Sequence, residues 1–236
     1  HMGITAENVA REYGISRQMQ DDFSLESQTR AANAILKGNF SSQIVPIEIG
    51  KDSKKKVFDL DEHPKQTSKE NLLALNPVFE KDGTVTAGNS SGLNDGAAAI
   101  MLGTANASNA LGLRIRAKIR GYAHSGVKPE VMGIGPITAV KKLLKKVNLS
   151  AQDFDVIESN EAFAAQACAV SKELNLNPEI VNPNGGAIAL GHPIGATGTI
   201  LVIKAINELE RSGGSLGLIT MCIGGGQGIA LAIERT

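Results

Sequence analysis

From about residue 112 onward, short apolar runs alternate with stretches whose apolar positions recur every three to four residues, a rhythm that predicts strands alternating with helices. Arg114–Tyr122 alternates like a strand. A helix starting at Pro136 turns Ile137, Val140, Leu144 and Val147 inward and Lys141, Lys142, Lys145 and Lys146 to solvent. Phe154–Ile157 is a strand, a helix runs from about Glu161 to Leu174, and Ile180–Val181 is a short strand. A further helix places Ile200, Leu201, Ile206 and Leu209 on one face and Lys204, Asn207, Glu208 and Arg211 on the others, closing at Gly213-Gly214. Leu216–Cys222 and Ile229–Ile233 finish as strands. Such alternation predicts an α/β fold with a mixed, mainly parallel sheet covered by helices.

Ahead of residue 112 the pattern is different. Residues 5–13 predict a helix with Thr5 as cap and Gly14 as stop, and Ser16 opens a longer one that ends at Gly38. Ile44–Ile49 has strand character, and Pro46 places it at an edge. Residues 50–70 are polar and predict an irregular loop, with Lys54-Lys55-Lys56 a solvated run. The small, turn-rich stretch Gly83–Gly96 leads into Ala97–Leu102, a predicted buried strand.

Composition narrows the class. Of 236 residues 42% are hydrophobic but only 3% aromatic with no Trp, so the core is aliphatic. Twenty-four Lys+Arg balance 24 Asp+Glu, which gives no field for nucleic acid or an anionic membrane. No apolar stretch approaches the ~20 residues of a membrane span. Cys168 and Cys222 have neither CxxC spacing nor a ligand cluster, so no metal site and no disulfide framework is indicated, and the expected location is cytoplasmic.

Candidate chemistry gathers at strand ends, where α/β folds place their sites. His192 lies in the glycine-rich run Asn182–Gly198 just ahead of a helix, Asn160 follows one strand, and Cys222 ends another before Gly224-Gly225-Gly226. Each has a plainer reading: an incidental histidine in a turn, a helix cap, and a small buried residue. Cys168 reads as core, and His63 and His124 receive no role. A closing glycine run between two strands is not a dinucleotide fingerprint, which must open a helix. A His/Cys/Asn trio suits acyl chemistry on a thioester: a thiol near ~8.5 can serve as acid or base. Backbone N–H groups, an imidazole and an amide supply donors to developing oxyanions.

Taken together, Gly83–Gly96, Asn160-Glu161-Ala162-Phe163-Ala164-Ala165-Gln166, Asn184–Gly198 and Cys222-Ile223-Gly224-Gly225-Gly226 resemble the thiolase family, in this order and over essentially the whole chain. The likeness is greatest to the branch that forms acetoacetyl-CoA. The resemblance implies that His192 activates a nucleophilic cysteine and binds the thioester oxygen, that Asn160 holds a water there, that Cys222 moves the α-proton, and that the Gly224 N–H serves a second oxyanion. It implies CoA contacts at His1, Met2, Lys65, Phe79, Ala87, Ser90, Ser91, Leu93, Met132, Ala162 and Phe163. Lys65 stands where an arginine is common, which puts stacking on adenine in doubt but leaves attraction to phosphate.

CoA and acetyl-CoA enter as substrates, with no tightly bound cofactor and no metal, and the full-length enzyme is expected to be a dimer or tetramer. The implied partition is 1–96 as the remainder of a CoA-binding loop domain, 97–111 as the last strand of an N-terminal domain plus linker, and 112–236 as the C-terminal domain. Neither cysteine stands in the family's nucleophile motif. The chain therefore reads as a C-terminal fragment, inactive alone, whose His1-Met2 is either native or a cloning scar. The competing readings are a longer-chain 3-ketoacyl-CoA thiolase and a non-catalytic CoA-binding module.

Overall fold

The computed structural model describes residues 1–51 and 54–236. Asp52 and Ser53, inside the predicted 50–70 loop, lie outside the described residues. Thirteen-residue and longer helices flank a four-stranded sheet of order β3-β6-β5-β4, comprising β3 (Ala117–Gly126), β4 (Val156–Ser159), β5 (Leu216–Ile223) and β6 (Gln227–Arg235). β4 and β5 run parallel, with Ser159 opposite Thr220, whereas β5–β6 and β6–β3 are antiparallel. An isolated parallel bridge from Ile157 to Val181 extends the parallel side. The sheet is thus mixed, but it is not mainly parallel as expected: among the described strands two of the three pairings are antiparallel. The reason is local: β5 and β6 are joined by the tight turn Gly224–Gly226, with Gly225 and Gly226 at φ 89° and 92°, and so short a turn can only make a hairpin.

Helix α5 (Gly135–Val147) covers one face of the sheet, burying Ile137, Val140 and Leu143 against Ile157, Leu218, Ala230 and Ala232. Its lysines are exposed as their spacing predicts. Helix α8 (Thr197–Ser212) covers the other face, where Leu201, Ala205 and Leu209 meet Val156, Ile219 and Ile233. Close approach of α5 to the sheet depends on paired glycines. A Cβ on Gly228 would stand 2.1 Å from the Gly135 carbonyl carbon.

Ahead of the sheet, α1 (Met2–Tyr13) and α2 (Arg17–Leu36) pack on α6 (Ala164–Glu173) and its surroundings. α1 begins at Met2 rather than after Thr5: the His1 ring caps it by accepting the Gly3 N–H, and the Thr5 hydroxyl donates back to the Met2 carbonyl. Gly14 ends it in the left-handed region and Ser16 caps α2, both as the sequence predicts. The strand predicted at 44–49 shrinks to β1 (Ile47–Ile49), and the predicted loop contains its antiparallel partner β2 (Lys56–Phe58) and the start of α3 (Lys69–Leu73).

The largest departure is Ala97–Leu102. Instead of a buried strand it is a segment without a ladder, with Met101 80% and Leu102 72% exposed, followed by α4 (Ala105–Ala110), which buries no residue. A strand needs a neighbour to satisfy its backbone, and no described strand lies beside this one.

Candidate active site

Parallel pairing carries β4 and β5 to the same rim of the sheet, and the candidate residues leave from there. The Asn160 N–H continues the ladder by donating to the Thr220 carbonyl at 3.0 Å, so Asn160 stands beside the end of β5, two residues short of Cys222. Asn160 is not a helix cap: α6 starts at Ala164, and Phe163 is its N-terminal residue, with the Gln166 side chain accepting the Phe163 N–H. Gln166 also donates to the Asn160 carbonyl. The Asn160 side chain is left to face the site, 1% exposed, with Nδ2 3.5 Å from His192 Nε2 and Oδ1 without a protein partner.

His192 follows the short helix α7 (Ala187–Leu190), and its ring packs against the first turn of α8. Its Nδ1 lies 2.7 Å from Thr197 Oγ1, and that oxygen lies 2.9 Å from the Pro193 carbonyl. Two oxygens this close need a proton between them, and only the hydroxyl can supply it. Thr197 therefore accepts from His192, Nδ1 carries the proton, and Nε2 presents its lone pair toward Asn160. Burial pushes the His192 pKa below the ordinary 6.5, which keeps the ring a neutral base near pH 7.

Cys222 is buried with Met132 and Ala162, with Phe163 packed against them. The open surface expected of a reactive thiol is absent here, and burial pushes its pKa up to about 11. Its resting form is the protonated thiol, a proton donor, rather than a group that serves equally either way. Cys168, expected in the core, is only partly buried, packed beside Ala165 and Ala169, with its thiol pushed up to about 12, burial being the main cause. The Gly224 backbone lies beside Met2, whose Sδ would be 3.9 Å from a Cβ built there.

Most of the remaining candidates gather around this centre. The His1 and Phe79 rings are 5.0 Å apart, and Phe79 meets Phe163 edge-on at 6.2 Å. Ser90 bridges Phe163, and Ser91 donates to the Ala162 carbonyl. Leu93 forms a parallel bridge with His192 while its side chain is 94% exposed. Lys65 and Ala87 are exposed and join the centre through no side-chain bond.

Other residues hold the site in place without a prior signal. Glu161, fully buried, accepts from Ser27 Oγ, Asn182 Nδ2 and the Ile188 N–H. Lys204 and Glu208, placed on the outer face of their helix by periodicity, are buried. Lys204 donates to Glu158 and to the Gly185 carbonyl, both at 2.7 Å, and Glu208 takes Asn184 and Arg211. A charge spaced for solvent is buried only where a partner waits, and those partners come from distant parts of the chain. Asn94 and Thr197, which hold the His192 backbone and ring, were equally unsignalled.

Comparison with known proteins yields two family models: "Thiolase, C-terminal domain" matches residues 113–235, and "Thiolase, N-terminal domain" matches residues 1–106. The description of the chain as a C-terminal fragment is therefore not borne out, because most of the residues ahead of 112 match the N-terminal model. The chain is 53% identical to an acetyl-CoA acetyltransferase of Chromobacterium violaceum, an alignment covering 100% of this chain and 60% of that protein. It superposes on the crystal structure of the Bacillus anthracis acetyl-CoA acetyltransferase with a TM-score of 0.97 at 49% identity, covering 100% of this chain and 60% of that one. Human mitochondrial 3-ketoacyl-CoA thiolase in complex with CoA gives 0.93 at 45%, covering 100% and 59%. The chain thus spans about 60% of the length of the relatives it matches.

Proposed function

This chain belongs to the thiolase family, and from that premise we propose that it carries part of an acyltransferase site which condenses two acetyl-CoA to acetoacetyl-CoA and CoA and runs the reverse thiolysis. The observation that supports it is the meeting of Asn160 and His192 at one rim of the sheet, near the end of β5 where Cys222 lies. In this reading His192 Nε2 takes the proton of a nucleophilic thiol and, once protonated, donates to the thioester oxygen. Asn160, whose Oδ1 has no protein partner, holds a water for the same oxygen. Cys222, resting as a thiol, delivers its proton to the α-carbon in thiolysis and becomes a thiolate, and in condensation that thiolate removes the α-proton and returns to the thiol, with the Gly224 N–H at the second oxygen.

CoA lies along His1, Met2, Phe79, Ser90, Ser91, Met132, Ala162 and Phe163, with Leu93, Ala87 and Lys65 toward its outer end. Residues 1–96 serve mainly CoA, 97–111 connect, and 112–236 carry the chemistry. Both thiols are held protonated by burial, so the chain alone has no activated nucleophile and is not expected to turn over.

Calorimetric titration of CoA tests the binding half: saturable binding is expected, weakened by Phe79→Ala, and no binding would overturn it. An assay of acetoacetyl-CoA thiolysis tests the other half, since an ordinary enzymatic rate from this chain would refute its inactivity. A second reading, preference for longer 3-ketoacyl-CoA substrates, has the 45% likeness to a 3-ketoacyl-CoA thiolase in its favour. Comparing CoA-thioester affinities across acyl lengths separates the two.

A further inference from the structure

The backbone of His192 is held from outside by Asn94, whose Oδ1 accepts its N–H at 3.1 Å. An amide turned this way presents its NH2 on the other side, where His63 Nδ1 lies 3.3 Å from Asn94 Nδ2. An NH2 group only donates, so Nδ1 of His63 is bare and the neutral ring carries its proton on Nε2. The Ile188 carbonyl stands beside the ring as an acceptor.

Glycines clear the space for both side chains. A Cβ on Gly92 would stand 2.3 Å from His63 Cε1, and one on Gly191, at φ 93°, would stand 2.6 Å from the Asn94 amide. The Leu93–His192 bridge sets the two backbones side by side. His63, to which its surroundings in sequence assign nothing, thus neighbours the 188–192 segment at Ile188 and reaches His192 through Asn94.

We propose that His63 and Asn94 are positioning residues that lock the 188–192 segment while His63 is neutral, and that protonating His63 turns the Asn94 amide and frees the His192 backbone. The imidazolium has an N–H on each nitrogen and cannot face an NH2 group. Rotating the amide brings Oδ1 to His63 but sets the NH2 against the His192 N–H, where two donors meet and the bond is lost.

The charged and titratable groups around His63 are Lys65 and Asp61 on its own segment, Lys204 beyond Asp61, and His192 across Asn94. Burial and Lys65 lower the His63 pKa, with the Ile188 carbonyl and Asp61 opposing. Release therefore comes on the acid side of the usual histidine range. The device rests on reading His192 as the base of the site, but its test does not depend on CoA.

The test is nuclear magnetic resonance on the full chain, labelled with nitrogen-15 in its histidine rings and backbone. At high pH the His63 ring is expected as the Nε2–H tautomer. On acidification, the protection factor of the His192 amide, its exchange relative to an unprotected amide at the same pH, should fall about tenfold with the midpoint of the His63 ring, the loss of one hydrogen bond. In Asn94→Asp both carboxylate oxygens accept, so the His192 amide should stay protected throughout while the His63 midpoint rises. A proton on Nδ1 at high pH, or a His192 amide indifferent to His63 titration, overturns the proposal whether or not the variant folds. So does a variant that tracks His63 as the wild type does. CoA binding is measured separately, so failure of the thioester reading is distinguishable from failure here.

Discussion

The loop 182–198 and the segment 97–111 are both irregular in outline, yet they differ in almost every physical respect. Polar groups of the loop are answered from four directions: the Asn182 amide pairs with both the N–H and the carbonyl of Ser159 and donates to Glu161, Gly186 N–H donates to Ser27, Gly185 accepts from Lys204, and His192 is held by Asn94. The segment 97–111 has no ladder, and Ile100, Met101, Leu102 and Leu111 are exposed by 40%, 80%, 72% and 70%. The contrast teaches that irregular backbone becomes a rigid carrier of chemistry when buried side chains replace the missing ladder. An apolar, strand-like sequence remains unformed where no neighbour is beside it.

The sharpest way to break this contrast is Lys204→Met. It leaves the Glu158 carboxylate buried and unpaired and the Gly185 carbonyl without its donor, and should cost about 3–5 kcal/mol in denaturant unfolding. A loss below 1 kcal/mol would show that the loop does not depend on that ion pair. Gly186→Ala comes next. Its Cβ would stand 2.2 Å from the Glu161 carboxyl carbon, and overpacking of this kind costs roughly 1–3 kcal/mol.

A smaller effect is expected from pH. Because burial lowers the His192 pKa, the unfolded chain takes up a proton below pH 6.5 that the folded chain resists. The stability tied to His192 is therefore full above pH 6.5 and lost as pH falls through the folded-state pKa. Melting curves of His192→Gln should show a shallower acid loss than wild type, with His63 supplying part of what remains. At the far end, Met101→Ser in the exposed segment should change stability by no more than about 0.5 kcal/mol. A larger loss would mean that this segment is held after all.

Much of the scaffold was legible. The inward positions of α5, the caps Ser16 and Gly14, the α8 stop at Gly213 and the hairpin glycines follow from periodicity and turn chemistry, which act within a few residues. Boundaries moved where a distant group intervened: α6 starts at Ala164 instead of near Glu161, because Asn160 and Glu161 are taken up by β5, His192 and the loop. The placing of Asn160 and Cys222 at the ends of β4 and β5 was legible from the strand pattern, whereas His192 follows α7 and reaches the same rim only through the fold of the loop. The residues that hold them were not. Glu161, Lys204 and Asn94 look solvated or turn-forming by composition, and their partners lie far away along the chain.

What the sequence by itself determined, then, is the alternation of elements and the aliphatic core faces, since each depends on short-range spacing and residue type. Only the tertiary structure decided that two of the three pairings among the described strands are antiparallel, that the Cys222 thiol rests protonated, that Lys204 is an interior charge and that 97–102 forms no strand. Each of those depends on what lies alongside in space, and burial, dielectric and ladder partners are properties of neighbours that a linear order of residues does not contain.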